Sequence, residues 1–459
     1  MTQKERLISA TKKIPRADGT MLIGSAAPLL KDPLEFFLNQ YKKHGPVYEV
    51  RALNRRYVIL AGVEATRFFK ENSDRLFDGR PIYSPYSKDI KSDHVLVGME
   101  GKEHIKFRKA LQPVFSKNAM EHLYPQMAVT ICKEMDRLPQ GKGFSVVEEF
   151  SKMASLSCGE MITGCPFKGN MRKLSTFAKI FLGAGVGAFP GFMRAFPKYR
   201  RARKETMGFL NQTLEMASNQ KEGFPHDRTI WKVLSEYRKA DGSPLNQQDK
   251  LASLHMPYSN SLVYVGSLAG FLLYFLIQSD DALIRCTKEA KELFGREHPP
   301  KLNEVLNAKW LNAALMETQR LQPISLSAPR VAAKDFSFMG FQIKKGDPML
   351  IATAVAHYLP EYFPDPETWR PSRFMANEKT GSLREKSETP PEAFVPFGFD
   401  KHACIAATLV RFMTITLVGQ MIEKYEIDSL NKSGKLKLKI APFPSPHPNW
   451  KIKITAKRA

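Results

Sequence analysis

A mainly α-helical fold with small β-sheets, closed as a single large domain, is the architecture this 459-residue sequence predicts. Three observations predict it. Apolar residues return at helical spacing through most of the chain after residue 62. Short alternating strand patterns occur near residue 50, between 325 and 355, and again at the C-terminus, so the sheets draw on both ends of the chain. No Ser/Gly-rich or acidic linker and no fixed-period repeat divides the sequence, which argues for one interwoven unit over residues 22–459. Residues 1–21 are expected to form a loosely ordered N-terminal extension.

Taken in order, residues 33–44 (PLEFFLNQYKKH) read as an amphipathic helix that stops before Gly45-Pro46. A β-hairpin follows, in which VYEVRAL alternates, Asn54-Arg55-Arg56 turns and YVILA returns to Gly62. Helices are then expected over 62–72, 101–111, 118–137, 145–163, 173–184, 197–220, 228–239, 247–278, 280–294, 308–321 and 404–425. FSFMGFQIKKGDPMLIA reads as short strands with a turn at Lys345-Gly346-Asp347. KLKLKI, a Pro-rich tip and WKIKI close the chain as strands. The run from Asn260 to Ile277 is apolar enough to suggest a membrane span, and it carries a Gly-x-x-x-Gly at Gly266 and Gly270. A helix through the centre of a large α-rich core explains the same all-round hydrophobicity, without putting globular halves on opposite sides of a bilayer, and is the reading adopted.

Composition narrows the class. An apolar content of 43% supports a substantial core, and a charged content of 25% is ordinary for a soluble protein. The net charge of +23 would attract nucleic acid, an anionic membrane or an acidic protein, and a plain Lys-rich surface explains it equally well. No zinc-finger spacing, RNP motif or continuous basic arm accompanies the charge, so nucleic acid is set aside. The five cysteines, Cys132, Cys158, Cys165, Cys286 and Cys404, are scattered without a C-x-x-C pair, which points to a reducing, cytoplasmic compartment. The N-terminal twenty residues lack an apolar h-region, so neither a secretory signal nor a transmembrane anchor is expected.

Chemistry concentrates on a few segments. Cys404 ends the loop Phe397-Gly398-Phe-Asp-Lys-His402-Ala-Cys404 and precedes an apolar helical run. A sulfur at a helix N-terminus has amides and a positive dipole end to stabilise a thiolate. A lone cysteine in such a place also fits a buried small apolar side chain. Glu317-Thr-Gln-Arg320 puts an acid and a base on one helical face, and Trp369-Arg-Pro-Ser-Arg373-Phe374 offers a second planar guanidinium. Gly101-Lys-Glu-His104-Ile-Lys-Phe-Arg108 aims a histidine and an arginine at one anionic target, and Arg330 stands in Ala-Pro-Arg-Val.

Jointly and in this order, these segments resemble the cytochrome P450 family from about residue 22 to the C-terminus. The resemblance implies the P450 fold and haem b (iron protoporphyrin IX) with the Cys404 thiolate as axial ligand of the metal, a ligand that pushes electron density onto the iron and favours O–O cleavage. It implies that Phe397, Gly398, His402, His104, Arg108 and Arg330 contact the cofactor, and that Glu317, Arg320 and Arg373 form a structural ion-pair cluster. The activity implied is that of an oxidoreductase, by default a monooxygenase, acting on a hydrophobic small molecule with electrons from an acidic ferredoxin or flavoprotein. That donor would dock on the cysteine side, where Lys401 lies. Residues 76–100 and the tip from Phe443 to Trp450 would line the substrate channel. Residues 189–203 mix aromatics and cations, which suits either a peripheral membrane contact or an amphipathic helix start.

The sequence departs from the family pattern at both sides of the site. Asp400 and Ala406 stand where glycine is usual, and His402 where arginine is commonest. On the central helix the usual Ala-Gly-x-Asp/Glu-Thr becomes Asn260-Ser261-Leu-Val263-Tyr264. The acid–alcohol pair serves to deliver protons during oxygen activation, and valine cannot do so. Tyr264, Ser261 or an ordered water would then be the proton source. The missing small pair removes the usual reason for a kink, so a regular helix is expected here. Two alternatives follow: a peroxide-using or isomerase/dehydratase-type enzyme that needs no relay, and a haem-binding protein without turnover.

Overall fold

The computed structural model describes residues 12–185, 187–219, 230–375, 389–430 and 436–457. The N-terminal hairpin pairs Val47–Ala52 with Arg55–Ala61, so its turn is Leu53-Asn54 and Arg55 already belongs to the second strand. The expected turn at Asn54-Arg55-Arg56 is thus shifted by one residue toward the N-terminus. Arg55–Ala61 pairs in parallel with Pro348–Ala352, which continues antiparallel through Ala328–Ala332 to Phe77–Asp78. This five-stranded sheet draws its strands from residues almost three hundred positions apart, as expected of one interwoven domain. Lys451–Ala456 is likewise laid between Phe144–Ser145 and Tyr425–Ser429.

Residues 12–20 are not loose. Ala17 and Glu49 exchange main-chain hydrogen bonds with Glu49 and Pro15, and Gln40 and Ser25 hold Asp18 by side chain and carbonyl. The described part of the expected loose extension is therefore an extra edge on the first strand, and residues 1–11 lie outside the described residues.

The expected helices are present with shifted ends. Sequence reading missed Ala26–Lys31, Leu302–Leu306 and Arg80–Ile90. The last carries Pro81 at its first turn, where the missing N–H costs nothing, and Pro85 inside, which hid the helical pattern.

The continuous helix Gln247–Ile277 is long and apolar enough to cross a membrane, yet 72% of its apolar window is buried inside the molecule, so it is the core helix. Its Gly266 and Gly270 serve close packing within the chain. A Cβ on Gly266 would stand 2.5 Å from the Ser151 Cα, and one on Gly270 2.8 Å from Val147. Helix Val146–Thr163 therefore crosses at near backbone contact.

Candidate active site

Glu317 and Arg320 lie on helix Lys309–Leu321 and are fully buried. A buried charge persists only when every lone pair and N–H finds a partner, and here they do. Arg320 donates from Nε and a terminal nitrogen to the two Glu317 oxygens, each at 2.8 Å, and from the other nitrogen to the His357 and Pro366 carbonyls at 2.9 and 2.7 Å. Glu317 also accepts from Arg373 Nε at 3.2 Å and from the Arg370 amide at 3.0 Å. The three predicted members of the cluster are together, and they lock the helix to the segment that runs on toward the cysteine loop.

In that loop Gly398 takes φ 69, a left-handed value that favours glycine, and the Cys404 amide donates to the Phe397 carbonyl at 2.8 Å. The helix begins only at Ala407, so Cys404 precedes it by three residues instead of opening it. One helix-end amide still reaches the sulfur: that of Ala406. Cys404 is the exposed member of the five cysteines, and yet burial pushes its thiol up, opposed by the Ala406 amide and the Arg108 charge. The residue is thus exposed while its thiol group is desolvated.

Four cationic or imidazole side chains cluster beside this loop. Arg108 donates to the Ala403 carbonyl at 2.7 Å, tying helix Gly101–Leu111 to the loop. His104, 1% exposed, stacks on His402 with ring centroids 4.4 Å apart, and its Nδ1 is buried without a partner among the described residues. Burial, reinforced by His402, Arg108 and Arg330, pushes His104 down to about 4, so it is neutral near pH 7. Arg330 is buried over the Phe69 ring, and its guanidinium donates to the Pro329 carbonyl at 2.8 Å.

His402 faces Glu100 at 3.0 Å, a partner that sequence reading missed. Glu100 is held below the usual carboxylate range because His402, the Gly79 amide and Arg330 outweigh the opposing effect of burial. Its only sequence signal was its place as the residue before Gly101. Lys401 is mostly buried and ion-paired with Asp74, so it is not the free surface cation expected. The side chain of Asp400 lies outside the described residues.

The opposite wall is the central helix, and it is not regular. Residues Ser261–Val265 form a π turn in which the Gly266 amide reaches the Ser261 carbonyl. The expectation of an undeformed helix is corrected, and the cause lies one turn earlier. Pro257 sits inside the helix and has no N–H to give to the carbonyl four residues back. Ser261 then inserts its hydroxyl into the ladder, donating to the Pro257 carbonyl at 2.5 Å.

Ser261 is buried, engaged and turned away toward Cys158, so its hydroxyl is not available as the proton source expected of it. Tyr264 is half-buried, stacks on Phe443 at 4.6 Å, and among the described residues its hydroxyl has no hydrogen-bond partner. Burial holds this phenol well above its ordinary value, with Tyr86, Tyr83 and Cys404 adding to the effect, which places Tyr264 within electrostatic reach of the cysteine. Val263 is buried beside it. Phe443 and the 76–100 segment thus approach the site as anticipated.

The chain matches the family model described as Cytochrome P450 over residues 16–454. It belongs to the cytochrome P450 family. Abscisic acid 8'-hydroxylase 2 of Oryza sativa subsp. indica is 23% identical over 97% of this chain and 87% of that protein. Sterol 14alpha-demethylase of Mycolicibacterium vanbaalenii is 22% identical over 92% of the chain and 93% of its own length. A retinoic acid-bound cyanobacterial CYP120A1 shares the fold, with a TM-score of 0.82 and 20% identity over 97% of this chain and 99% of that one. The protein is thus a P450-type oxidoreductase, a haem-thiolate monooxygenase in general terms.

The residues around Cys404 fit such a group. Cys404 would hold the group through its sulfur, while His104 Nδ1 and the buried Arg330 guanidinium would supply donors for its carboxylates.

Proposed function

We propose that this P450 oxidises a hydrophobic small molecule with molecular oxygen, taking electrons from an acidic ferredoxin or flavoprotein, and that it holds haem b on Cys404. The observation that carries the reading is the exposed Cys404 with a desolvated thiol, in a loop tied to Arg108 beside the clustered His104, His402 and Arg330. Haem, when bound, supplies the redox-active iron that activates oxygen. The Ala406 amide orients the sulfur and tempers its charge, and the Phe397 carbonyl fixes the loop that presents it. Arg108 and Arg330 bring positive charge for the propionates, and neutral His104 adds a neighbouring N–H donor. On the other wall Tyr264 Oη holds a proton at neutral pH and is the hydroxyl of the central helix left to deliver it. Tyr83, Tyr86 and Phe443 give the space an aromatic, apolar character suited to a hydrophobic substrate.

A second reading rests on Val263 and the engaged Ser261 hydroxyl. Without an acid–alcohol relay, a reaction whose substrate already carries the O–O function would proceed unhindered, so peroxide or a hydroperoxide would be the oxidant, or an isomerase or dehydratase reaction would result. The test supplies purified protein with either reduced ferredoxin and oxygen or hydrogen peroxide, over a panel of apolar probes. Turnover dependent on the reductant is expected. Turnover with peroxide alone would replace the first reading by the second. Cys404→Ala should abolish both turnover and the thiolate-type carbon monoxide spectrum, and retention of that spectrum would overturn the assignment of the ligand.

A further inference from the structure

The central helix is buried along almost all of its length, and the exceptions fall in one line. Between Leu251 and Leu273 only Met256, Pro257, Asn260 and Tyr264 are accessible. Four residues advance a helix of about 3.6 residues per turn by slightly more than one turn, so Met256 and Asn260 share a face. The π turn Ser261–Val265 is wider, and four residues advance it by slightly less than a turn, which brings Tyr264 back over Asn260. Tyr264 meets Phe443 and lies within electrostatic reach of Cys404, so this line is the part of the helix that faces the site.

Asn260 is the one amide side chain in that line, between a thioether and a phenol. Its Oδ1 is buried and has no hydrogen-bond partner among the described residues. Its own helix cannot supply one. Ser261 and Ser267 donate their hydroxyls to the Pro257 and Val263 carbonyls four residues back. An amide oxygen only accepts, and the N–H groups of a helix interior are already engaged. A buried acceptor left in this way costs stability in the ligand-free protein. What satisfies it has to come from the space that the line faces.

The chemistry of the donor follows from its surroundings. The line contains no carboxylate that could pair a cation, and Met256, Tyr264 and Phe443 offer apolar surface around the amide. The complement is a neutral hydroxyl on an otherwise apolar molecule. We propose that Asn260 selects an alcohol as substrate, its Oδ1 accepting from a hydroxyl about one helical turn (~5 Å) from the carbon held beside Tyr264. The inference rests on the P450 reading of Cys404 and names the substrate class of that same site.

Holoprotein is titrated with long-chain and terpenoid alcohols and with their methyl ethers, and binding is read from the shift of the haem Soret band. Each ether keeps the shape and apolar surface of its alcohol but has no proton to donate. The wild type is expected to bind at least one alcohol about tenfold or more tightly than its ether. Asn260→Leu should erase that preference to within about twofold, with an unchanged or higher Tm, because it removes an unsatisfied buried acceptor. Asn260→Asp keeps an accepting oxygen and should keep the preference. Binding of no alcohol more tightly than its ether by the wild type would overturn the proposal, as would a preference that Asn260→Leu retains. A fall in kcat in Asn260→Leu with alcohol binding unchanged would assign the amide to proton delivery beside Tyr264 instead. The titration needs neither reductant nor peroxide, so its outcome does not depend on the oxidant, whereas failure of the P450 reading would show in the spectrum of Cys404→Ala.

Discussion

On the Glu317 side of the cysteine loop every buried charge is met, with Glu317 accepting from Arg320, Arg373 and the Arg370 amide, and Arg320 reaching carbonyls of three further residues. On the Tyr264 side the helix is irregular, Ser253 Oγ and His255 Nε2 are buried without partners among the described residues, and Tyr264 has an unengaged hydroxyl. The first region pairs its two central charges fully, although Arg370 Nε and His357 Nε2 beside it are buried without partners among the described residues. The second has slack, and slack at a helix wall lets side chains be exchanged without unfolding the protein. The Glu317–Arg320–Arg373 pattern is kept in the first region, while the stretch around Tyr264 departs from the family's.

The sharpest way to break the comparison is to remove the centre of the charge network. Glu317→Gln should destabilise the fold by about 3–5 kcal/mol, because it leaves two buried guanidinium groups without their counter-charge. Thermal melting checks this, and a loss under 1 kcal/mol would show that the network is not the determinant supposed (~1 kcal/mol being typical of an exposed pair).

The distal wall should respond in the opposite sense. Val263→Asp with Tyr264→Thr restores an acid and an alcohol, and reductase-driven turnover is expected to rise by severalfold with little change in Tm. A fall in turnover would mark Tyr264 as the better donor in this site.

Two buried histidines, one on each side, sharpen the contrast through pH. Burial pushes His255 on the distal side and His357 on the proximal side from 6.5 to about 3. Below pH 6.5 the unfolded chain binds protons that the folded chain refuses, so each histidine makes stability fall as pH drops toward 3. His255→Gln should flatten that slope by roughly 1.4 kcal/mol per pH unit. Equilibrium unfolding at pH 5 and pH 4 measures it, and an unchanged slope would mean that His255 titrates normally.

The smallest effect is expected from Ser261→Ala. Its hydroxyl is bonded to the Pro257 carbonyl, so turnover should stay within about twofold of wild type, as for a side chain outside the proton path. A drop of about a hundredfold, the scale of a lost general acid, would return Ser261 to the proton path.

Sequence by itself determined the helical body and the presence of small sheets, and the resemblance to the P450 family singled out Glu317, Arg320, Arg373 and Cys404. Spacing alone gives less: residues three apart on a helix face one way, which places Glu317 beside Arg320. Helix Arg80–Ile90 was hidden because two prolines mask its period. Only the tertiary structure decided that Glu100 meets His402, that Lys401 turns to Asp74, and that Ser261 turns its hydroxyl into its own helix. The π turn was latent in Pro257, yet whether a freed carbonyl kinks, frays or widens a helix depends on what packs beside it. Here that neighbour is helix Val146–Thr163, pressed to backbone contact at Gly266, and no residue near Tyr264 announces it.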